Sequence, residues 1–507
     1  MKLSKFFSKI FNRVTLTCLV VLVQVVWLLS WFFGWIRHRT VFAVLLTLLS
    51  VLMALYIIRK DENPAYKISW IVIIGLVPLL GGLLYLLFGN KRPTKAMRGK
   101  LERIRSEHYA AMAENTAAAR CLPSRLQATS NYLASYGPYP AWQNTASEYF
   151  SSGEALFARV LEDMERAERF LFVEFFIVSR GSLWDEVFAV LQRKAAAGVD
   201  VRVIFDDMGS AMDPPPDLAA QLERSGIRCL PFNPMVPLIS FAQNHRAHRK
   251  FVIIDGTVGY TGGINLADEY VNRKQRFGYW KDTGVRLEGD AVWNMTVAFL
   301  NLWNAFRPTE SDYGPYRPAN RGAVPSDGIV QPYTDSPLDD ETVAENVYLD
   351  ILAQAQRYVY IFTPYLIIDN EMTTALTLAA KRGVDVRIVT PGIPDKPAVF
   401  RLTRSYYATL LRAGVRIYEY SPGFLHAKSF LCDDRLAVVG SINMDYRSLY
   451  LHFEAGVLLM ECSLLQQMKQ DYQQTFAESR PVTLSECRRS FLGQLGDDLL
   501  RLLSPLM

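Results

Sequence analysis

Three long apolar runs, Val14–Ile36, Val41–Ile58 and Ile68–Phe88, come before any regular alternation of hydrophobic and polar residues. A helix needs roughly 20 apolar residues to cross a bilayer core, and each run is near that length. Residues 1–92 are therefore expected to hold N-terminal transmembrane helices. The first run ends in Arg37-His-Arg39 rather than a small-residue cleavage site, which argues against a signal peptide. Gly75, Pro78, Gly81 and Gly82 predict an irregular third helix. Lys2, Lys5, Lys9 and Arg13 precede the first run, and Lys91, Arg92, Lys95 and Arg98 follow the third. The positive-inside rule places both flanks, and the region beyond, in the cytoplasm. Two inside flanks need an even number of spans, so one run is expected to lie in the interface or to re-enter. Residues 93–145 include a charged, Ala-rich stretch, read as a helix leaving the membrane.

From about residue 146 the pattern becomes that of an α/β protein, and it occurs twice. Phe170–Val178 reads as a buried strand, Trp184–Ala197 as a helix and Gly198–Phe205 as a second strand. Tyr358–Ile368, Glu371–Arg382 and Gly383–Val389 repeat that order, and Gly198-Val-Asp-Val-Arg is echoed by Gly383-Val-Asp-Val-Arg. Such alternation predicts βαβ units. The expected fold class is α/β: two similar domains, 146–312 and 326–483, each a mixed, mostly parallel sheet flanked by helices, sharing one active site. A Pro/Gly-rich linker, 313–325, joins them. The tail, 484–507, holds a short helix, Leu492–Leu503, whose apolar stripe is expected to pack on the body, with contact to the membrane as the alternative.

Composition narrows the class. Of 507 residues 50% are hydrophobic and 21% charged, and the net charge is +5, which excludes a disordered chain. The α/β region has no basic footprint, so nucleic acid is not an expected partner. Six scattered cysteines form no CxxC or metal-type spacing and read as free thiols.

The chemistry lies in one doubled pattern. His248-Arg-Lys250 is followed by Asp255 and by Gly262-Gly-Ile-Asn265; His426-Ala-Lys428 is followed by Asp433 and by Gly440-Ser-Ile-Asn443. On a strand, residues i and i+2 face one way, so each His projects with its Lys. Two such pairs suit phosphoryl transfer without a metal or other cofactor. One His attacks phosphorus, the other protonates the leaving oxygen, and two Lys hold the phosphate charge. Asn265 and Asn443 follow tight turns and are placed to donate amide hydrogens to a phosphate oxygen. Asp255 and Asp433 belong to the motif, but their expected role is to hold the turn through backbone N–H groups. A catalytic His needs an acceptor to fix its tautomer. Asp282 follows the first motif and Glu454 the second, each just before a Gly-Val pair.

Over residues 146–480 this arrangement resembles the phospholipase D superfamily, whose members carry two such motifs in two like domains. The stretch from Asn63-Pro64 through Trp70 to Pro78–Gly89, and the tract Asn443-Met-Asp445-Tyr-Arg447-Ser448, are similar to bacterial cardiolipin synthases. An extra apolar run ahead of the usual pair departs from that family. The resemblance implies phosphatidyl transfer between two phosphatidylglycerol molecules in the bacterial cell membrane. A phosphatidyl-histidine forms, and cardiolipin and glycerol are the products. It implies His248 as nucleophile and His426 as acid and base. The motifs alone leave the acceptor open: water would make a membrane phospholipase D, another alcohol a different phosphatidyltransferase, and a membrane-tethered nuclease ranks below both. The apolar loop Pro231–Phe241, just before the first motif, is expected to face the bilayer or to pack in the core.

Overall fold

The computed structural model describes residues 39–89, 98–104, 112, 118–234, 244–310, 312–318, 324–325, 327–338 and 341–506. The first apolar run, the basic residues before it, Lys91, Arg92 and Lys95, and most of the 231–241 loop lie outside these residues. The chain divides into two compact units.

The smaller unit contains α1 (Arg39–Ile58), α2 (Pro64–Leu76) and α3 (Pro78–Phe88). The second apolar run matches α1. The third does not form one helix: it is divided at Val77 into pieces of 13 and 11 residues. Pro78 is the cause, because it lacks an N–H and its ring drives the preceding residue out of the helical region, where Val77 sits at φ −135° and ψ 75°. Asn63 caps α2 by accepting from Ala65 N at 3.0 Å, with Pro64 in the first turn. The fold-back is tight, since a Cβ on Gly81 would lie 2.8 Å from Ile73 O. Tyr66, Trp70, Ile74 and Tyr85 close a small core with Ile57, and the Trp70 and Tyr85 rings meet edge-on at 5.4 Å. Among the described residues no helix is long and apolar enough to cross a membrane by itself.

The larger unit holds both halves of the repeat. In the first half, β1 (Thr145–Phe150), β2 (Phe170–Phe175), β3 (Asp200–Asp206), β4 (Arg228–Phe232), β5 (Phe251–Ile254), β6 (Val258–Gly262) and β8 (Gly284–Gly289) form one sheet, and β7 (Tyr279–Lys281) stands outside it. Its order is β1-β8-β6-β5-β2-β3-β4. In the second half, β9 (Ile329–Asp335), β10 (Tyr358–Phe362), β11 (Asp385–Pro391), β12 (Arg416–Tyr420), β14 (Ser429–Cys432), β15 (Leu436–Gly440), β16 (Glu454–Met460) and β17 (Ser479–Pro481) form the other, in the order β17-β12-β11-β10-β14-β15-β16-β9. A short β13 (Gly423–Leu425) pairs in parallel with β7 of the first half.

The expected "mostly parallel" sheet is corrected here. Only β2-β3-β4 and β10-β11-β12 run parallel; every other neighbouring pair in the two sheets is antiparallel. The parallel neighbours are those joined to one another through helices, as βαβ crossovers require. The motif strands β5 and β14 instead return through three-residue turns, 255–257 and 433–435, which can only join antiparallel neighbours. Asp255-Gly256 (φ 52° and 69°) and Asp433-Asp434 (φ 54° and 61°) are central to them, with Thr257 N donating to Ile254 O and Arg435 N to Cys432 O, each at 3.0 Å. Both central residues are left-handed, as a type I′ turn requires, and Asp and Gly tolerate that region.

Helix α4 (Phe491–Leu503) follows the second half. Ser69 Oγ donates to Leu502 O at 2.5 Å, and Leu506 packs on the small N-terminal core. On α4, Phe491, Leu492, Leu495, Leu499 and Leu503 are exposed.

Candidate active site

Each motif histidine sits on an extended segment that docks beside a strand of the other half. His248 N donates to Phe453 O at 2.9 Å and Phe453 N to Arg246 O at 2.8 Å. His426 N donates to Lys281 O at 2.7 Å, at the end of the β7–β13 pairing. The segment beside each histidine therefore leads into the carboxylate of the opposite half. His248 Nδ1 lies 2.8 Å from Glu454 Oε1, and His426 Nδ1 lies 2.7 Å from Asp282 Oδ2. Along the chain each carboxylate follows the motif of its own half; in the fold the pairs are crossed. An ionised carboxylate only accepts, so it holds the proton on Nδ1 and leaves a lone pair on Nε2.

The carboxylates are held in turn. The Ser441 hydroxyl donates to Glu454, and Thr283 N donates to Asp282 at 2.8 Å. Gly263 occupies the place of Ser441 in the first half, where a Cβ would fall 2.1 Å from Asp282 Oδ1. Both carboxylates are fully buried.

Lys250 and Lys428 are buried beside the histidines, and each ammonium donates to the backbone carbonyl of its own motif histidine. Burial brings Lys250 down to about 7, against the pull of Glu454, and Lys428 down to about 8, against Asp282 and Glu454. Burial and the two lysines hold His248 well below the usual imidazole range. Burial and Lys428 bring His426 to about 4, opposed by Asp282. Both rings are thus neutral near pH 7, as a nucleophile requires. Arg249 points to the other face of the segment and makes a two-pronged ion pair with Glu174 of β2, at 2.9 Å on each prong.

Asn265 and Asn443 are buried. Asn265 Oδ1 accepts from Ile177 N at 3.1 Å, which turns its amide nitrogen away from that contact. Asn443 Oδ1 has no protein partner. The Asp255 carboxylate accepts from the backbone of Glu168, Arg169 and Phe170, and Asp433 does the same from Gln356, Arg357 and Tyr358. Neither aspartate has a contact with a motif His or Lys.

Two residues near the centre were given no role from the sequence, although Arg447 stands in the tract Asn443–Ser448 that carried the resemblance. His452, two positions before Glu454, lies with its ring centroid 5.4 Å from that of His248. Arg447 lies close enough to depress proton binding by both rings. Among the described residues, His248, His452 and Glu454 bring three possible metal donors together. The fit to a cation is poor, because Glu454 already holds His248 Nδ1 and two lysines share the centre.

Residues 160–279 and 348–476 match the family model described as "Cardiolipin synthase, PLD-like domain", and residues 48–90 match "Phospholipase_D-nuclease N-terminal". A cardiolipin synthase of Geobacillus thermodenitrificans is 31% identical over 501 residues, 98% of this chain and all of that one. The chain belongs to the phospholipase D-like cardiolipin synthase family. An uncharacterized protein of Streptococcus mutans in the same comparison is 41% identical, covering 89% of this chain and 99% of its own length. Among solved structures, the phosphatidylserine synthase of Haemophilus influenzae superposes with a TM-score of 0.56 at 15% identity, over 73% of this chain and 97% of that one. That likeness is one of fold.

Proposed function

We propose that this chain is a cardiolipin synthase that moves a phosphatidyl group from one phosphatidylglycerol to another. The observation that carries the reading is the pair of crossed His–carboxylate contacts with two buried lysines between them, in a member of this family. Lys250, Lys428, Asn265 and Asn443 hold the nonbridging oxygens of the reacting phosphate. Its negative charge raises the proton affinity of His426, which takes a proton on Nε2 while Asp282 steadies the imidazolium. His248 Nε2 attacks phosphorus, the P–O bond to glycerol breaks, and His426 gives that oxygen its proton. The free hydroxyl of a second phosphatidylglycerol then returns a proton to His426 and attacks phosphorus. The P–N bond breaks and cardiolipin leaves. Asp255 and Asp433 set the hairpin turns and take no part in proton transfer.

The substrate is a membrane lipid, and we assign residues 1–92 to a multi-pass membrane anchor with the larger unit in the cytoplasm. Val44, Leu45, Leu48, Leu49, Leu52 and Leu55 on α1 are exposed, as are the leucines of α4, and lipid is the medium that suits such faces. The purified protein, given phosphatidylglycerol alone, should yield cardiolipin and glycerol in equal amounts. Phosphatidic acid in place of cardiolipin would instead make it a phospholipase D.

A further inference from the structure

The two motifs are related by the internal repeat, so a difference between their surroundings is one the chain has built in. Two positions before the motif histidine stand Arg246 in the first half and Phe424 in the second. Two positions before the orienting carboxylate stand Trp280 in the first half and His452 in the second. Crossing gathers like with like. His426 meets Phe424 at 5.7 Å and Trp280 at 5.4 Å, with Tyr270 at 5.2 Å, all ring to ring. His248 meets His452 at the same 5.4 Å and Phe176 at 5.0 Å. One histidine is walled by aromatic rings; the other has nitrogen-bearing side chains in the matching places.

Those side chains are short of partners. Arg246 is 1% exposed; its Nη1 donates to Asn233 O at 2.7 Å and lies 3.5 Å from Asp206, but Nε and Nη2 have no hydrogen-bond partner. Asp206 is itself engaged by the N–H groups of Met208, Gly209 and Ala247. Neither nitrogen of His452 is hydrogen-bonded; Nδ1 lies 3.7 Å from Glu454 Oε1. Its side chain keeps 9% exposure, the same as that of His248, so both rings keep the same small share of open surface. Arg447 has an unpartnered buried Nε, and its carbonyl accepts from His452 N at 3.0 Å. Buried polar groups without partners are costly; on the His248 side they belong to two guanidinium groups and an imidazole, whereas beside His426 the ring nitrogen left without a partner is the uncharged Trp280 Nε1.

We propose that Arg246, Arg447 and His452 form a second anion subsite beside His248, which binds the phosphate of the acceptor lipid. This rests on the cardiolipin synthase reading. An acceptor phosphatidylglycerol differs from water or free glycerol in carrying its own phosphate, one glycerol unit from the attacking hydroxyl. A guanidinium pair and an imidazole are the groups that recognise such an oxyanion. The reacting phosphate is already held by Lys250, Lys428, Asn265 and Asn443, so the three extra groups select the acceptor. The aromatic flank at His426 has no comparable charge to offer.

The test compares two transfers by the full chain in detergent micelles of phosphatidylglycerol: cardiolipin formation, and exchange of labelled glycerol into the lipid. Only the first acceptor brings a phosphate. Arg246→Gln, Arg447→Gln and His452→Phe should each lower the ratio of cardiolipin formation to exchange by about ten-fold, as expected for loss of one charge-assisted hydrogen bond. Arg447→Lys should recover part of it. A ratio that does not change in the active variants, whether the two rates fall together or stay, overturns the subsite. Wild-type protein that exchanges glycerol but never forms cardiolipin would sink the proposed function instead. In that case glycerol 3-phosphate and glycerol are compared as acceptors. A preference for the phosphate that the variants lose supports the subsite, and the lack of any preference overturns it.

Discussion

Glu454→Gln tests the crossed pairing most directly. The Glu454 carboxylate accepts from His248 Nδ1 at 2.8 and 3.0 Å and from the Ser441 hydroxyl, in a fully buried position. An amide of the same shape can turn its NH2 toward Nδ1. That would move the imidazole proton to Nε2 and remove the lone pair that must attack phosphorus. Losing a hydrogen bond to a charged group costs about 1.5–3 kcal/mol, roughly ten- to a hundred-fold in rate. A wrong tautomer adds to this, and about 10⁴-fold is the loss seen when a triad carboxylate becomes an amide. The expected fall in kcat therefore lies between about ten-fold and about 10⁴-fold. The step affected separates crossed from uncrossed pairs. If Glu454 serves His248, Glu454→Gln should form the covalent phosphatidyl-enzyme slower by that factor, and His248→Ala should not form it. Asp282→Asn, serving His426, should form it slowly and hold it longer. Acid quench of radiolabelled substrate at short times, with isolation of the labelled peptide, reads both. Trapped intermediate in Glu454→Gln at the wild-type rate, with none in Asp282→Asn, would refute the pairing as drawn.

Four further outcomes follow from the same geometry. Free-enzyme kcat/KM should fall as pH rises through about 7 to 8, because Lys250 and Lys428 hold phosphate only when protonated, the form present below their depressed values; a profile flat to pH 9.5 would deny them that role. Asp255→Asn leaves three backbone donors poorly matched and should cost about 1–3 kcal/mol of stability, read as a lower Tm with little change in rate per folded molecule, whereas full stability with lost activity would return Asp255 to the chemistry. Arg249→Met strands Glu174 in the core and should cost about 3–5 kcal/mol in urea unfolding, most of it recovered when Glu174→Leu is added; equal losses in the single and double variants would contradict this. Cardiolipin formation should survive dialysis against EDTA, and a loss restored by one divalent ion would overturn the metal-free mechanism.

Much was legible along the chain because it depends on neighbours in sequence. Apolar runs marked β2 and β10, the doubled Gly-Val-Asp-Val-Arg announced the repeat, and i, i+2 spacing placed each His with its Lys. Pro78 and the nearby glycines announced a break in the third apolar run, though not its position at Val77. The parallel reading failed because helix-linked strands are conspicuous, while the turns at Asp-Gly and Asp-Asp that reverse β5 and β14 are only three residues long. The C-terminal stripe was legible as apolar, but periodicity does not say what covers a face.

What the sequence by itself determined was the inventory: two His–Lys motifs, two trailing carboxylates, and asparagines after tight turns. Only the tertiary structure decided their partners. His248 meets Glu454, and His426 meets Asp282, because each motif segment hydrogen-bonds to a strand of the other half. The same docking sets His452 and Arg246 about one histidine and aromatic rings about the other. Local spacing fixes the direction of a side chain within its own strand, whereas the neighbour it meets is fixed by which strand edges pair, and that depends on the packing of the whole unit.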